Sequence, residues 1–237
     1  MKAFLLAAGL GTRLKPITDS IPKCLVHICG KPLLGWWIDL FKKHGVDKVL
    51  INLHHFPEKV KEYLELNSQG IKFHYSYEEN LLGSAGTLRE NKNFVKDEND
   101  FFILYADNLT NVNLSEFIKF HRSQNNFFSM GLFKSQNPSA CGIALMNDKG
   151  VITDFEEKPK SPKSDLASAG IFLSSPEVLD LIPKNEITDI GFHLIPKLVS
   201  RMNGWLIEDY LIDIGTHENL RNAETKWSLF VNKKEEV

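Results

Sequence analysis

The chain opens on an apolar run, Lys2–Leu6, and short apolar stretches then alternate with amphipathic ones through its first 130 residues. Over residues 32–44, Leu34, Trp37, Ile38 and Phe41 share one face, Pro32 sits in the first turn and Gly45 follows the last, which predicts a helix. Residues 49–53 are β-branched and apolar, 57–66 amphipathic and 71–77 alternating, predicting strand, helix and strand. A short helix at 86–93 and a buried strand at 101–106 follow. Asn113 then caps a helix, with Glu116 at its third position, that runs to about His121. Buried strands alternating with helices predict an α/β fold, a Rossmann-like, doubly wound mixed sheet that is mostly parallel.

The second half reads differently. Strands are predicted at 129–133, 142–146, 152–156 and 168–173, with a hairpin turn at 147–150 and a polar loop at 159–163. Helical patterns return at 176–181 and 190–200. A last helix starting at Thr216 is expected to bury Leu220, Ala223, Trp227 and Phe230, leaving the tail KKEEV frayed. No internal repeat or low-complexity linker interrupts the chain.

Composition narrows the functional classes. A length of 237 residues suits one domain, and 43% hydrophobic with 24% charged residues suits a globular protein. A net charge of −2 offers no electrostatic reason to bind nucleic acid or a membrane surface. No run reaches the ~18 apolar residues of a membrane span, and the apolar start breaks at once into Gly, Thr and Arg, unlike a signal peptide. Cys24, Cys29 and Cys141 lack metal-ligand pairing, so free thiols in a reducing cytoplasm are expected. His54-His55 has no third ligand at useful spacing and reads as loop histidines. Trp36 and Trp37 are adjacent and cannot face the same way, so one is expected at a subunit contact, as in a homodimer.

The candidate chemistry begins at residues 5–25, LLAAGLGTRLKPITDSIPKCL. A strand ending in a Gly-rich turn exposes backbone N–H groups that cradle phosphate oxygens. Arg13 adds a forked donor and Lys23 a point charge, so the segment reads as a grip on a nucleoside triphosphate. It is not a P-loop, since no Lys-Ser or Lys-Thr follows the glycines. Nor is it the dinucleotide fingerprint, since position 14 is Leu. Asp107 directly follows FFILYA, at the carboxyl end of a buried strand where ligands bind in open α/β sheets. By itself it serves equally as a metal ligand or, with Asn108, as a turn cap.

These residues resemble the opening of the sugar-1-phosphate nucleotidyltransferases, LAGGxGTRLxPLTxxxPKPL, with Ala8 for the more frequent Gly and Cys24 for Pro. Further along, YSYEENLLGSAGTL resembles YxxEPxPLGTAGAL, Glu157-Lys158-Pro159 resembles EKP, and YLIDIGT resembles WxDIGT. The resemblance implies a single catalytic domain over 1–237, without the hexapeptide repeats that longer relatives append. Its nucleotide-binding part would cover about 1–125 and its sugar-phosphate part about 126–230. It implies Arg13 and Lys23 as catalytic, and nucleotide contacts from Leu6, Ala7, Ala8, Gly9, Gly11, Thr12 and Arg13. Gly83, Ser84, Ala85 and Gly86 would line the base, with Ser84 also an N-cap. Sugar-phosphate contacts fall to Gly142, Glu157, Lys158, Ser168 and Gly170, and a Mg²⁺ cofactor to Asp107 and Asp213. The substrates would be a nucleoside triphosphate and a sugar 1-phosphate: GTP with mannose 1-phosphate or a related heptose. The alternatives are UTP with an N-acetylated hexosamine or muramic acid phosphate, CTP with phosphocholine, or a non-catalytic regulatory homologue. Nucleotide-sugar glycosyltransferases need Asp-x-Asp after the same strand, and Asp107-Asn108-Leu109 lacks the second acid.

Overall fold

In the computed structural model, which describes residues 1–124, 126–184 and 187–235, the apolar run β1 (Lys2–Leu6) lies inside the main sheet. β4 (Lys48–Leu53) and β6 (Phe101–Tyr105) flank it in parallel, and β5 (Lys72–Tyr77) lies parallel beyond β4. Between β1 and β4 run the short strands β2 (His27–Ile28) and β3 (Lys31–Pro32), paired with each other, and helix α1 (Leu33–Lys43). α2 (Pro57–Asn67) and α3 (Ser84–Glu90) flank β5 in the chain. β7 (Asn108–Thr110) and α4 (Leu114–Ser123) follow β6. The second half supplies β8 (Phe128–Lys134), β9 (Gly142–Met146), β10 (Ile152–Glu157), β11 (Leu166–Ser174), the one-turn α5 (Ile195–Leu198), β12 (Asn203–Leu206), β13 (Leu211–Asp213) and α6 (His217–Glu235). β11 pairs antiparallel with β6 and so continues the sheet in the order β10-β9-β11-β6-β1-β4-β5, with β8 on β11 and β12 on β8.

Strand alternation sends successive side chains to opposite faces, and helices cover both. Ala3, Leu5, Val49, Ile51, Phe102 and Leu104 pack under α1, α2, α4 and α6 with Trp37, Phe41, Val60, Phe117 and Trp227. Phe4, Leu50, Phe101 and Ile103 pack on the other face with Ala85 and Leu88 of α3, Leu179 and Leu194. Each such Leu or Phe contributes about 1.5–3 kcal/mol of burial. This is the mixed, doubly wound single domain that the alternating pattern predicts. The register levels Leu6 with Asn52 and with Tyr105, so β1, β4 and β6 end on one rim.

Several elements depart from expectation. Residues 190–200 are a π-helical turn, Ile190–Leu194, followed by α5, because Pro196 has no N–H to bond the Phe192 carbonyl. The stretch Pro176–Leu181 is a 3₁₀ helix ending just before Ile182-Pro183, where proline disfavours helical backbone. The short ladders β2–β3 and β7–β13 and the strand β12 were absent from the expected set. α6 buries Ala223 and Trp227, but Phe230 is 40% exposed, its ring tilted against those of Trp227 and Tyr210. α6 stays helical to Glu235, and the rest of the KKEEV tail lies outside the described residues. Trp36 is partly buried against its own chain. Its ring meets Trp227 of α6 edge-on at 5.5 Å, and its Nε1 donates to the Ile28 carbonyl. His55 Nε2 donates to the Thr18 carbonyl and His54 bonds the Glu78 carbonyl, so the histidine pair is spent on loop anchoring.

Candidate active site

Beyond Leu6 the chain leaves the sheet in the Gly-rich turn. Gly11 has φ +63°, and a Cβ there would come within 2.9 Å of Thr18 Cγ2 and 3.3 Å of Lys23 Cβ. Glycine is therefore required on both conformational and steric grounds. The Thr18 hydroxyl donates to the Gly11 carbonyl, folding the loop back on itself, and residues Thr12–Leu14 form a 3₁₀ turn that leaves Arg13 exposed. Ala8 is buried and Gly9 faces open space. The N–H of Ala7 is bonded to Asn52 Oδ1 at 2.7 Å, which leaves it unavailable to a phosphate.

Lys23 starts a second 3₁₀ turn, Lys23–Leu25, and is 8% exposed. Its Nζ lies 2.7 Å from Asp107 Oδ2 and 3.0 Å from Asp213 Oδ1. The β7–β13 ladder, with Asp213 opposite Asn108, brings these acids together although 106 positions separate them, and Ile214 N–H donates to the Asp107 carbonyl. Burial pulls the Lys23 ammonium down, but the two carboxylates beside it outweigh burial and leave its pKa raised, so it stays charged. Arg13 Nη2 approaches Asp213 Oδ2 at 3.9 Å, and Gly215 N–H donates to Asp213 Oδ1. Among the described residues no group of three His, Cys, Asp or Glu side chains converges as a metal site. The Asp107–Asp213 pair nonetheless fits a hard cation, because its oxygens already converge on one positive charge. Mg²⁺ commonly takes one or two protein carboxylates and fills its other positions with water and substrate phosphates.

Glu157 ends β10 and Lys158 follows with φ +52°, its Nζ 3.9 Å from Glu157 Oε1. Glu157 is half-buried. Burial raises its pKa, Lys158 opposes this, and Asp189 adds to it. A Cβ at Gly142 would stand 2.5 Å from both the Phe155 ring and Glu157 Oε2, so a larger residue would have to displace one or both. Gly170, φ +63°, sits where β11 loses register with β8 next to Ser168, and a Cβ there would lie 2.9 Å from the Tyr105 ring. Asn108 Nδ2 donates to the Ala169 carbonyl, tying β11 to the segment that carries Asp107.

The Gly83–Gly86 loop is organised differently from expectation. Ser84 is the first residue of α3 rather than its cap, which is Gly83 at φ +77°. The Ser84 hydroxyl and N–H both donate to Asp189 Oδ1, while Ala85 and Gly86 N–H groups donate to the Thr188 carbonyl. A Cβ at Gly83 would collide with that carbonyl. The glycines thus admit the Thr188-Asp189 backbone, and the helix N-terminus is saturated by protein. Thr188 and Asp189 were not singled out from the sequence, because a Thr-Asp pair ahead of an apolar turn reads as an ordinary cap. Asn52 and Glu78 were missed too, though a lone Asn inside the apolar VLINL was a legible signal of a buried polar contact.

Comparison with known proteins gives the family. Residues 2–228 match the family described as nucleotidyl transferase. A Synechocystis protein named UTP–glucose-1-phosphate uridylyltransferase is 34% identical over 214 residues, 84% of this chain and 55% of its own. Mannose-1-phosphate guanyltransferase 2 of Candida glabrata is 32% identical over 223 residues, 91% of this chain and 61% of its own. The chain therefore spans little more than half the length of these curated relatives. The structure of HddC from Yersinia pseudotuberculosis shares the fold, with a TM-score of 0.81 at 22% identity over 95% of this chain and 99% of that one. With its glycine turn, its Lys23 and its paired acids all inside the matched span, the chain belongs to the nucleotidyl transferase family.

Proposed function

We propose that this chain transfers a nucleotidyl group from a nucleoside triphosphate to a sugar 1-phosphate, releasing pyrophosphate and leaving a nucleotide sugar. The observation that carries the reading is the Lys23 ammonium bracketed by Asp107 and Asp213 beside the Gly11 turn. A sugar-phosphate oxygen attacks the α-phosphorus in line, the bond to the β-phosphate oxygen breaks, and pyrophosphate leaves with its electrons. The nucleophile is already an anion, so no general base is required and catalysis is positioning plus charge neutralisation. Arg13, exposed at the end of its turn, holds the outer phosphates. Lys23 neutralises charge at the transferring phosphoryl, and Lys158 offsets the repulsion between the incoming sugar phosphate and the triphosphate. Glu157, wedged beside Gly142, accepts hydrogen bonds from sugar hydroxyls. Mg²⁺ on Asp107 and Asp213 would supply further neutralisation of the phosphates. Residues 1–125 on this reading grip the nucleotide and 126–230 the sugar phosphate.

GTP with mannose 1-phosphate or a related heptose phosphate is the favoured pair, supported by the guanylyl-transferring relative at 32% identity. UTP is the second reading, supported by the uridylyl-transferring relative at 34%. A cytoplasmic setting suits the three free thiols. No described helix is long and apolar enough to cross a membrane. The experiment is pyrophosphate release by Lys23→Met and Asp107→Asn beside the unaltered chain. Each substitution is expected to lower kcat by on the order of 10²–10³ while the fold is retained. The freed carboxylates are 36% and 44% exposed, so water screens them. Undiminished turnover in either variant would remove that residue from the mechanism.

A further inference from the structure

The ends of β1, β4 and β5 and the start of α3 are joined by a buried polar relay that no step above uses. Asn52, Glu78 and Thr87 are 5%, 3% and 0% exposed. The Ala7 N–H donates to Asn52 Oδ1 at 2.7 Å. The Asn52 amide donates to Glu78 Oε1 at 2.9 Å and to Thr87 Oγ1 at 3.0 Å. The Thr87 hydroxyl donates to Glu78 Oε1 at 2.5 Å, and Leu82 N–H donates to Glu78 Oε2 at 3.0 Å. Both amide protons and the hydroxyl proton are used, and Glu78 accepts three bonds.

The charge assignment makes this arrangement unusual. No ion pair to Glu78 is present among the described residues, so a buried carboxylate is balanced by neutral donors alone. Burying a carboxylate is costly unless it is fully hydrogen-bonded, and here three donors meet it while the Ala7 and Leu82 N–H groups find acceptors. What the relay connects is its distinguishing feature. At one end, Ala7 is the first residue of the triphosphate turn. At the other, Leu82 and Thr87 flank Gly83–Gly86, the loop assigned to the base. The span between them is rigid: β1 and β4 pair in register up to Leu6–Asn52, and Glu78 N–H is bonded to the Leu53 carbonyl.

We propose that Asn52 and Glu78 are positioning residues that set the distance between the triphosphate turn and the base loop, and so determine affinity and selectivity for the nucleotide without touching it. The inference rests on the nucleotidyl-transfer reading. Asn52→Asp keeps the acceptor for Ala7 but removes the amide donors and sets a second carboxylate against Glu78. Glu78→Gln turns an acceptor into a donor facing other donors. The double variant N52D/E78Q restores the pattern in reverse, because the amide introduced at position 78 can donate to the carboxylate introduced at position 52 at the same net charge.

The test is steady-state kinetics together with calorimetric titration of nucleoside triphosphate into the full chain. Each single variant is expected to raise KM and Kd for the triphosphate about tenfold or more, the loss expected for a mispaired buried hydrogen bond. KM for the sugar phosphate should stay within about threefold, and the ratio of kcat/KM between the best and second-best triphosphate should narrow. The double variant should recover triphosphate affinity to within about threefold of the unaltered chain. Thr87→Val, nearly isosteric, serves if a single variant fails to fold, and it should weaken triphosphate binding selectively as well. The inference falls if the variants bind triphosphate normally, if both KM values rise together, or if the double variant regains its melting temperature without regaining affinity. A chain that binds triphosphate but turns over no substrate pair would count against nucleotidyl transfer instead, with the calorimetry still deciding the relay.

Discussion

Lys23 holds a position that a divalent cation would contest. Its ammonium neutralises Asp107 and Asp213 at 2.7 and 3.0 Å, so a metal ion arriving alone must displace a charge already paired. Manganese titrated into the nucleotide-free chain should therefore bind weakly, and binding should tighten several-fold in Lys23→Met, read by calorimetry or by the electron paramagnetic signal of free Mn²⁺. Equal affinity in both would mean that the two carboxylates do not form the cation site. At this scale the sequence was most legible where chemistry and spacing coincide: Arg13 and Lys23 stand out by charge beside a glycine turn. Glu78 and Asp189 did not stand out, because each reads locally as a loop polar or a cap, and Asn52 was legible as a buried polar residue but not as to its partners.

Among the elements, long amphipathic helices were legible from periodicity alone. The three-residue β7 and β13 were not, although they carry the decisive geometry, because so short a segment holds no period to read. α6 illustrates packing that periodicity does foresee. Trp227, 6% exposed, lies against Trp36, Tyr210 and Phe230, so Trp227→Ala should cost about 3–5 kcal/mol, measured by urea unfolding. A loss under ~1 kcal/mol would mean that α6 is not integral to the fold. α4 is fixed by His121, whose Nδ1 bonds Ser129 Oγ of β8 at 2.8 Å and whose Nε2 lies 3.4 Å from Asp100. Burial lowers the His121 pKa, Asp100 opposes this, Arg122 assists it, and the net shift is downward from 6.5. His44 is lowered as well, first by burial and then by Lys43. The unfolded chain thus binds these protons more readily than the folded one. Their stabilisation is complete above pH 6.5 and is lost as pH falls through the lower folded values. The melting temperature should decline from pH 6.5 toward 5, and His121→Asn should flatten that decline. A slope unchanged in the variant would place the sensitivity elsewhere.

For the whole molecule, the order β10-β9-β11-β6-β1-β4-β5 explains why one site draws on the entire chain. Parallel strands from the first half end on one rim, β11 docks antiparallel on β6 and carries β9 and β10, which ends at Glu157, and the β7–β13 ladder brings Asp213 beside Asp107. Fold class and the order of the motifs were readable from the alternating pattern and the family resemblance. The crossing contacts were not, since the Thr188-Asp189 backbone reaches α3 across roughly a hundred residues. Nucleobase and sugar are the finest level, and they rest on loop shape, which depends on those same crossings. The most direct measurement of the central claim is pyrophosphate release by the purified chain with Mg²⁺, crossing GTP, UTP, dTTP, CTP and ATP with a panel of sugar 1-phosphates and phosphocholine. Release with a sugar 1-phosphate is the predicted result, fastest for GTP with mannose 1-phosphate or a heptose 1-phosphate. Silence across the panel from a folded chain that binds nucleotide would contradict nucleotidyl transfer and leave a nucleotide-binding homologue without catalysis.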